Sequence, residues 1–263
     1  MTTSARWDDL AVRMASGTAL AAVGALVLWA GGLSLTLFAC LAAGVMTWEA
    51  AAMTAPARRT EAFALAALAA GGLALIVFSH DPKLIPLLLA PAVAGALRAR
   101  SDRAGFFAVA AAVSVAAYAV IAYRETMGLA FVLWIVAVVA AVDLLGYFGG
   151  RLIGGPKVWP RLSPKKTWSG TLAGWAGAAA VGAGFVAAGL APAWAIPFSA
   201  LAGLAAQMGD IGESAVKRRA GVKDASRIIP GHGGLMDRFD GLSGALLFLI
   251  LWGLVLPLPA VGG

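Results

Sequence analysis

The chain has 263 residues, of which 61% are hydrophobic and 13% charged, and its mean hydropathy is +0.87. This composition excludes a water-soluble domain, because it cannot supply enough polar surface to cover a globule of this length. The net charge of +7 could indicate a nucleic-acid partner. The basic residues alternate with apolar runs, however, so we attribute them to membrane topology and anionic lipid, and we expect no nucleic acid to bind.

Apolar runs separated by charged residues or by Pro and Gly predict about nine membrane helices. The predicted spans cover about 14–30, 33–53, 61–79, 83–98, 104–123, 128–148, 169–190, 192–213 and 241–258. Roughly 17 to 25 apolar residues cross a hydrocarbon core of about 30 Å as a helix. We therefore predict an all-α, polytopic integral membrane protein, with five scaffold spans in residues 1–127 and a catalytic region of four spans in residues 128–263.

The distribution of basic residues predicts the orientation of these spans. If the N-terminus is cytoplasmic, all but two of the 20 Lys and Arg residues fall on the cytoplasmic side, the exceptions being Lys83 and Arg124. The positive-inside rule therefore supports a cytoplasmic N-terminus, and an error of one span would destroy the segregation. The two longest cytoplasmic connections, at about 149–168 and 214–240, are where we expect function to concentrate.

Glu49 and Asp143 are the acidic residues that lie inside the first six spans, away from their first residue. Glu49 lies near the end of the second span; it could be functional, but we favour a terminal glutamate that reaches the membrane interface. Asp143 lies about five residues before the end of the sixth span. An unpaired carboxylate would be costly there, so we expect Asp143 to face the bundle interior and to meet a metal, a lysine or a polar ligand.

The end of the eighth predicted span carries charge at helical spacing. Asp210, Glu213, Ser214 and Lys217 are spaced at i, i+3, i+4 and i+7 and share one helix face, and Arg218 follows them. An ion-pair stripe that only orients the helix is the alternative interpretation. We favour a functional site, because ionisable groups within a membrane are costly and usually mark one.

A glycine-rich, charged segment follows before the last span. Its backbone N–H groups can approach phosphate oxygens closely, and Asp237 and Asp240 offer oxygens to a metal. The candidate residues in this segment are Lys223, His232, Gly233, Gly234, Asp237, Arg238 and Asp240.

A third element leads into the seventh span. Ser163 followed by Pro164 predicts a helix start, with Lys165, Lys166 and Thr167 in the first turn. Two lysines oppose the helix dipole there unless an anion binds them, so we predict a phosphate site. Simple positive-inside topology is the alternative.

Phosphoryl or nucleotidyl transfer fits this set of carboxylates, cations and glycines. Cys40 is the single cysteine, and the only histidines, His80 and His232, fall on opposite sides of the predicted topology. A cysteine metal site and a Ser-His-Asp triad are therefore hard to assemble, and no Walker-type Gly-Lys-Ser/Thr loop occurs. Acids without a Cys/His cluster favour magnesium over zinc or copper.

The run from Ser214 to Asp240 resembles the signature of the phosphatidate cytidylyltransferase family, also called CDP-diacylglycerol synthases. The resemblance is carried by Ser214-x-Val216-Lys217-Arg218, Lys223-Asp224, Ser226, Ile229-Pro230, His232-Gly233-Gly234-Leu235 and Asp237-Arg238-Phe239-Asp240. The Ser163 to Thr167 element and the Asp143 region are also similar, so the resemblance covers roughly the C-terminal half. Ser169 departs from it, since many relatives carry glutamate at that position.

The resemblance implies an enzyme that joins CTP to phosphatidic acid and releases pyrophosphate. It implies Mg²⁺ as cofactor, with Asp210 and Asp237 as the metal acids, and K⁺ as a candidate second ion. Catalytic roles then fall to Asp210, Asp237, Lys217 and Asp143, and substrate contacts to Ser163, Lys165, Lys166, Thr167, Glu213, Ser214, Arg218, Lys223, His232, Gly233, Gly234, Arg238 and Asp240.

From family and topology we expect a bacterial inner membrane with the site facing the cytoplasm, and a homodimer is an open alternative for the oligomeric state. Two other functions remain open. A cytidylyltransferase could act on another lipid phosphate, and a transporter of an anionic metabolite could also use intramembrane charge. The two related halves that are common in such transporters are missing, because charged residues crowd into one half of this chain.

Overall fold

The computed structural model of the chain describes residues 3–98, 100–160 and 162–262, with side chains from Met14 onward apart from Pro164. Arg161, which the topology prediction places on the cytoplasmic side, lies outside the described residues. The side chains of Arg6 and Arg13 lie outside them too, so the predicted orientation of these three residues stays a prediction.

The described residues form nine α-helices in chain order. Their bounds are α1 (Thr3–Ala30), α2 (Gly32–Thr54), α3 (Arg59–Ser79), α4 (Ala90–Ala96), α5 (Arg103–Thr126), α6 (Gly128–Leu152), α7 (Trp168–Ala187), α8 (Ala195–Arg219) and α9 (Met236–Gly253). The prediction of an all-α membrane protein is confirmed. The predicted fourth span is split, because Pro86 lies inside a 3₁₀ helix, Pro82–Leu89, that precedes α4.

Five of the helices in the described residues are long and apolar enough to cross a membrane: α2, α3, α5, α6 and α7. Two shorter apolar helical segments, Met14–Ala30 and Pro82–Ala96, are also present. The chain is therefore an integral membrane protein, and the predicted count of about nine spans is matched only roughly.

A small hairpin that the sequence did not predict precedes α7. Strand β1 (Lys157–Trp159) pairs antiparallel with strand β2 (Ser163–Thr167), and Trp159 lies opposite Ser163. The prediction that Ser163 begins a helix is therefore wrong, and Lys165 and Lys166 lie in a strand rather than in a first helical turn.

Thr167 takes the role that the sequence analysis gave to Ser163. Its backbone is extended, with φ −111° and ψ 157°, and its side chain accepts a hydrogen bond from the Gly170 N–H, so that α7 begins at Trp168. The segment offers two N-cap residues, and pairing with β1 keeps the first of them extended. The helix consequently begins after the second one.

The chain divides into two compact units, which are described separately. The first unit comprises the described residues of Met1–Ala117 and Val216–Phe239, and the second those of Tyr118–Ala215 and Asp240–Gly263. The predicted division into a scaffold (1–127) and a catalytic region (128–263) concerned function, and it stays a prediction.

In the first unit, α2 and α3 pack through small side chains. Ala39, Ala43 and Ala50 of α2 are buried, and a Cβ added at Gly44 would lie 3.2 Å from the carbonyl oxygen of Ala66. Small residues let membrane helices approach backbone to backbone, which gives dispersion contacts where lipid supplies no hydrophobic driving force. The buried face of α2 therefore reaches its C-terminal end, where Glu49 lies.

In the second unit, α6 and α7 approach even more closely. A Cβ at Gly170 would lie 2.5 Å from the carbonyl oxygen of Gly146, and one at Gly174 would lie 3.0 Å from that of Val142. An aromatic cluster around Phe198 packs elsewhere in this unit, where the buried Trp134 donates from Nε1 to Ser199 Oγ at 2.9 Å. The glycine contacts set the spacing of the helices that line the candidate site.

Candidate active site

A cavity of about 510 Å³ lies in the second unit, among α6, β2, α7 and α8. Its polar lining residues are Asp143, Tyr147, Arg151, Lys165, Lys166, Thr167, Thr171, Gln207 and Asp210. Five of these were predicted as site residues from widely separated parts of the sequence. The fold therefore places two carboxylates and three cations around one cavity. The cations suit an anionic ligand, and the carboxylates suit a hard metal ion bound with it.

The closest charged contact in this cavity joins Lys166 to Asp210. Lys166 Nζ lies 2.6 Å from Asp210 Oδ2, and the two side chains are 25% and 30% exposed. Ser214 Oγ donates to the other oxygen, Asp210 Oδ1, at 3.3 Å. A pair this open to water adds little to stability, so both charges are available to a ligand that enters the cavity.

Strand β2 brings the two lysines to the cavity. Lys165 and Lys166 both line it, together with the buried Thr167. The two lysines do not oppose a helix dipole, because they lie in a strand and not in a helix. Their convergence on a space shared with Asp143 is instead the reason to expect a phosphate there. Ser163, by contrast, pairs with Trp159 in the hairpin and does not line the cavity.

Several polar residues of the cavity were not predicted from the sequence. Gln207 lies one turn before Asp210 on α8, and its Oε1 accepts a hydrogen bond from Trp175 Nε1 at 2.9 Å. Arg151 donates to the Tyr147 hydroxyl at 3.1 Å. The available signal for Gln207 was a lone amide in an otherwise apolar stretch.

Ser169 marks the departure from the family pattern. Its hydroxyl donates to the carbonyl oxygen of Gly154 and lies 3.0 Å from Thr167 Oγ1. Serine at this position therefore ties the start of α7 to the connection that precedes the hairpin, and it supplies no carboxylate.

In the first unit, Lys217 and Asp237 form a buried ion pair. Lys217 Nζ lies 2.5 Å from Asp237 Oδ1, and the side chains are 8% and 5% exposed. Asp237 Oδ2 also accepts from the N–H groups of Ala225 and Gly234, at 2.9 and 2.8 Å. This carboxylate therefore joins the end of α8, the charged loop and the start of α9.

The electrostatics of Asp237 follow from these contacts. Asp237 lies ahead of the predicted final span, which begins at about residue 241. Burial alone would raise the pKa of its carboxyl. The hydrogen bond from Lys217, the N–H of Gly234, the charge of Lys217 and the N–H of Ala225 outweigh burial and hold the pKa of Asp237 below its usual range. Asp237 is thus a stable anion at neutral pH.

Two glycines shape the turn before α9. Gly231 and Gly233 have φ angles of 75° and 85°, which side chains with a Cβ rarely adopt. Ile229 N–H donates to the Gly233 carbonyl oxygen at 2.8 Å, and His232 N–H donates to the Ile229 carbonyl oxygen at 3.0 Å. The turn directs the N–H of Gly234 to Asp237.

His232 contacts the N-terminal helix, which the sequence did not predict. Ser16 Oγ lies 2.8 Å from His232 Nδ1 and donates to the Pro230 carbonyl oxygen at 2.9 Å. Arg238 Nε in turn donates to the His232 carbonyl oxygen at 3.2 Å. Helix α1 therefore helps to hold the glycine-rich turn.

The expectation that Glu49 reaches the membrane interface is wrong. Its side chain is fully buried in the first unit, with 0% exposure. Glu49 Oε1 accepts hydrogen bonds from Ser226 Oγ and the Leu235 N–H, and Oε2 accepts one from the Met236 N–H. The physical reason is that these donors offset the desolvation of a carboxylate that the apolar helix alone could not bury.

The remaining predicted residues occupy simpler positions. Glu213 is buried at 4% exposure on α8, whereas Arg218 and Lys223 are exposed. Arg218 Nη1 donates to the Val222 carbonyl oxygen at 2.9 Å, and Asp240 Oδ1 accepts from the Gly241 N–H at 2.7 Å.

The carboxylates differ in how well they suit a hard cation. No group of three or more His, Cys, Asp or Glu side chains that could hold a metal occurs in the described part of the chain. Mg²⁺ commonly needs only one or two carboxylates, because it keeps several waters. Asp210, partly exposed and lining a cavity with Asp143, meets that need. At Asp237, Oδ2 accepts hydrogen bonds from two N–H groups, and Oδ1 accepts one from Lys217. A cation would therefore have to bind at Oδ1, beside the lysine.

Comparison with known proteins assigns the family. The sequence model of the cytidylyltransferase family matches residues 11–255. A protein named phosphatidate cytidylyltransferase from Brucella abortus biovar 1 is 35% identical over 265 residues, which cover 97% of both chains. The chain belongs to the cytidylyltransferase family.

Other similar proteins come from Helicobacter and Staphylococcus. A phosphatidate cytidylyltransferase from Helicobacter pylori is 38% identical over 145 residues, or 51% of this chain and 54% of that one. One from Staphylococcus saprophyticus is 40% identical over 116 residues, or 43% and 45% of the two chains. As a cytidylyltransferase, the chain is an enzyme of the nucleotidyltransferase class, and the resemblance seen in its sequence is confirmed.

Proposed function

We propose that this cytidylyltransferase transfers the cytidylyl group of CTP to phosphatidic acid, giving CDP-diacylglycerol and pyrophosphate for phospholipid biosynthesis. One observation carries the proposal. A membrane chain that is 35% identical along 97% of its length to a protein named for this reaction has a cavity with Lys165 and Lys166 facing Asp143 and Asp210. Such a cavity suits phosphate oxygens and a hard cation together.

In this mechanism, an oxygen of the lipid phosphate attacks the α-phosphorus of CTP in line. The new P–O bond forms as the bond to the bridging oxygen of the β-phosphate breaks, and pyrophosphate leaves with that electron pair. A phosphate monoester is already anionic near neutral pH, so the chain needs no strong base. Positioning and charge neutralisation are the main contributions of the protein.

The side chains of the second unit bind and orient the phosphates in this proposal. Lys165 and Lys166 bind anionic oxygens, with Thr167 and Ser214 as neutral donors. Asp143 orients a lysine or supports the metal-binding acids. Asp210 holds Lys166 in place before the ligand enters, since the two already form an ion pair.

The side chains of the first unit contribute further cations. We propose that Lys217, Arg218, Lys223 and Arg238 neutralise phosphate charge, and that His232 and the N–H groups of the glycine turn donate to phosphate oxygens. The buried pair of Lys217 and Asp237 supports this proposal, because it joins the two ends of the loop that carries these groups.

We further propose Mg²⁺ as the cofactor, with Asp210 and Asp237 as its carboxylate ligands, and K⁺ as a candidate second ion. When bound, the cation would neutralise charge on the triphosphate and on the leaving pyrophosphate. The exposed oxygens of Asp210 and the remaining lone pair on Asp237 Oδ1 support the assignment.

We propose the bacterial inner membrane as the location, with the site facing the cytoplasm, and a homodimer as the assembly to be tested. The bacterial relatives and the segregation of basic residues support the location. In this orientation, CTP from the cytoplasm would reach the two long basic connections directly.

A cytidylyltransferase that acts on another lipid phosphate is the second candidate, because apolar helices alone do not select the lipid. A transfer assay with purified protein in detergent, labelled CTP and Mg²⁺ distinguishes the two candidate lipid substrates. We expect label in CDP-diacylglycerol with phosphatidic acid and none with a polyprenyl phosphate. The reverse result would replace the proposed substrate.

Substitution of Asp210 tests the proposed site in the same assay. Asp210→Asn should abolish transfer while the protein remains folded and monodisperse, and Glu125→Gln, which alters an exposed acid, should transfer at the wild-type rate. Wild-type rates in Asp210→Asn would remove Asp210 from the mechanism. Absence of any lipid product from folded wild-type protein would contradict both proposed lipid substrates.

A further inference from the structure

The carboxylate of Glu49 caps the start of another helix. Glu49 lies on α2, yet its two oxygens accept from the Leu235 and Met236 N–H groups at 2.9 and 2.7 Å, at the N-terminus of α9. These N–H groups have no partner within α9, and the helix dipole is positive at this end. A carboxylate from a distant part of the sequence thus satisfies donors that a local cap would normally satisfy.

Glu49 also holds the loop that precedes α9. Ser226 Oγ donates to Glu49 Oε1 at 2.6 Å and in turn accepts from the Ile228 N–H at 3.2 Å. The approach is close, since a Cβ added at Gly234 would lie 2.5 Å from Glu49 Oε1. Both ends of the segment 226–236 are therefore fixed to one carboxylate.

Asp237 follows directly from this anchored segment. The N–H groups that Glu49 binds belong to the two residues before Asp237, and Asp237 itself binds the N–H groups of Gly234 and Ala225. Two carboxylates thus interlock on one short stretch of backbone. A displacement of residues 234–236 would move Asp237 and alter its contact with Lys217.

We propose that Glu49 is a positioning residue of the cytidylyltransferase, which acts by fixing residues 226–236 and thereby the carboxylate of Asp237. The inference rests on the proposed function of Asp237 and extends it to α2, within the part of the chain that the sequence analysis assigned to scaffold. In the described part of the chain, the hydrogen bonds of Glu49 go to Ser226 and to backbone N–H groups, so we infer that it acts through Asp237 and not on the substrate.

Glutamine is the informative replacement at Glu49. It has nearly the same shape but offers one acceptor and one donor where the carboxylate offers two acceptors. If its oxygen accepts from Ser226 and Leu235, its NH₂ group faces the Met236 N–H, and that backbone donor loses its partner. Glu49→Gln should therefore loosen the start of α9 while it preserves the packing of α2.

Two measurements on the full-length protein in detergent test the proposal. Hydrogen exchange of peptides that cover residues 225–236 should rise about tenfold or more in Glu49→Gln and less in Ser226→Ala, which removes one contact of three. In turnover assays, kcat of Glu49→Gln should fall about 10- to 100-fold and the half-saturating Mg²⁺ concentration should rise, because the loss acts through a displaced ligand of the metal. KM for CTP should change less than kcat.

Glu125→Gln is the matched control, since it makes the same chemical change at an exposed position. Wild-type exchange at residues 225–236 in Glu49→Gln would overturn the proposal. So would a loss of activity that only follows the folded fraction, with the half-saturating Mg²⁺ concentration unchanged. If wild-type protein makes no CDP-lipid, the proposed function fails, and the exchange comparison still decides whether Glu49 fixes this segment.

Discussion

Replacing Asp237 with Asn should destabilise the protein strongly through Lys217. The two side chains are 5% and 8% exposed, and their charged atoms lie 2.5 Å apart. Asparagine can turn its oxygen toward the N–H groups of Ala225 and Gly234, but its NH₂ group then faces the Lys217 ammonium. Because this removes the carboxylate that lies 2.5 Å from a buried cation, we expect a loss of about 3–5 kcal/mol in the free energy of unfolding.

The double variant separates this electrostatic effect from loss of packing. Lys217→Met leaves an Asp237 carboxylate that keeps two backbone donors, so its cost should be smaller, about 1–3 kcal/mol. Asp237→Asn combined with Lys217→Met removes the cation as well as the carboxylate and should be more stable than Asp237→Asn alone. The prediction therefore depends on the double variant having a higher free energy of unfolding than Asp237→Asn.

Unfolding of detergent-solubilised protein by SDS, followed by the fluorescence of its nine tryptophans, measures these differences. Glu125→Gln should have the same free energy of unfolding as the wild type. If Asp237→Asn also stays within about 0.5 kcal/mol of the wild type, or if the double variant is the least stable of the three, the buried pair does not organise this segment.

Three further predictions concern other contacts. Lys166→Met should raise KM for CTP about 10- to 100-fold in the transfer assay, because a charge-assisted phosphate contact is worth about 1.5–3 kcal/mol; an unchanged KM would remove Lys166 from the triphosphate site. Thr167→Ala should cost about 1 kcal/mol of stability by melting temperature and Thr167→Ser much less, since only the N-cap hydroxyl is needed; equal losses would contradict the cap. Burial would raise the pKa of Asp102, but the Gly105 N–H and the guanidinium of Arg219 hold it below its usual range. The resulting stabilisation is complete above the pKa of the unfolded chain, about 3.9, and disappears as the pH falls through the lower folded value, so wild-type protein should lose more stability below about pH 4 than Asp102→Asn.

The sequence predicted most of the helices because hydropathy alone decides them in a membrane protein. It also singled out charged residues that the structure brings to one cavity, since an acid such as Asp143 in an apolar span is costly enough to need a partner. Their arrangement was harder to predict. The hairpin at Ser163–Thr167 depends on pairing with a strand of only three residues, Lys157–Trp159, which leaves no clear periodicity in the sequence.

Long-range contacts account for the other failures. Glu49 is separated from Met236 by 187 positions, and Ser16 from His232 by 216. Nothing in the local pattern around Glu49 distinguishes a residue that reaches the interface from one that caps a distant helix. The cost of burying a carboxylate indicates that Glu49 needs hydrogen-bond donors. Most of those donors are backbone N–H groups, which no sequence motif identifies.

Pyrophosphate release by detergent-purified protein supplied with CTP, Mg²⁺ and phosphatidic acid tests the proposed reaction most directly. Each component is omitted in turn, and EDTA is added in a further control. We predict release only when all three are present, with one CDP-diacylglycerol formed for each pyrophosphate. Release without phosphatidic acid, or no release from protein shown to be folded, would contradict the proposed transfer.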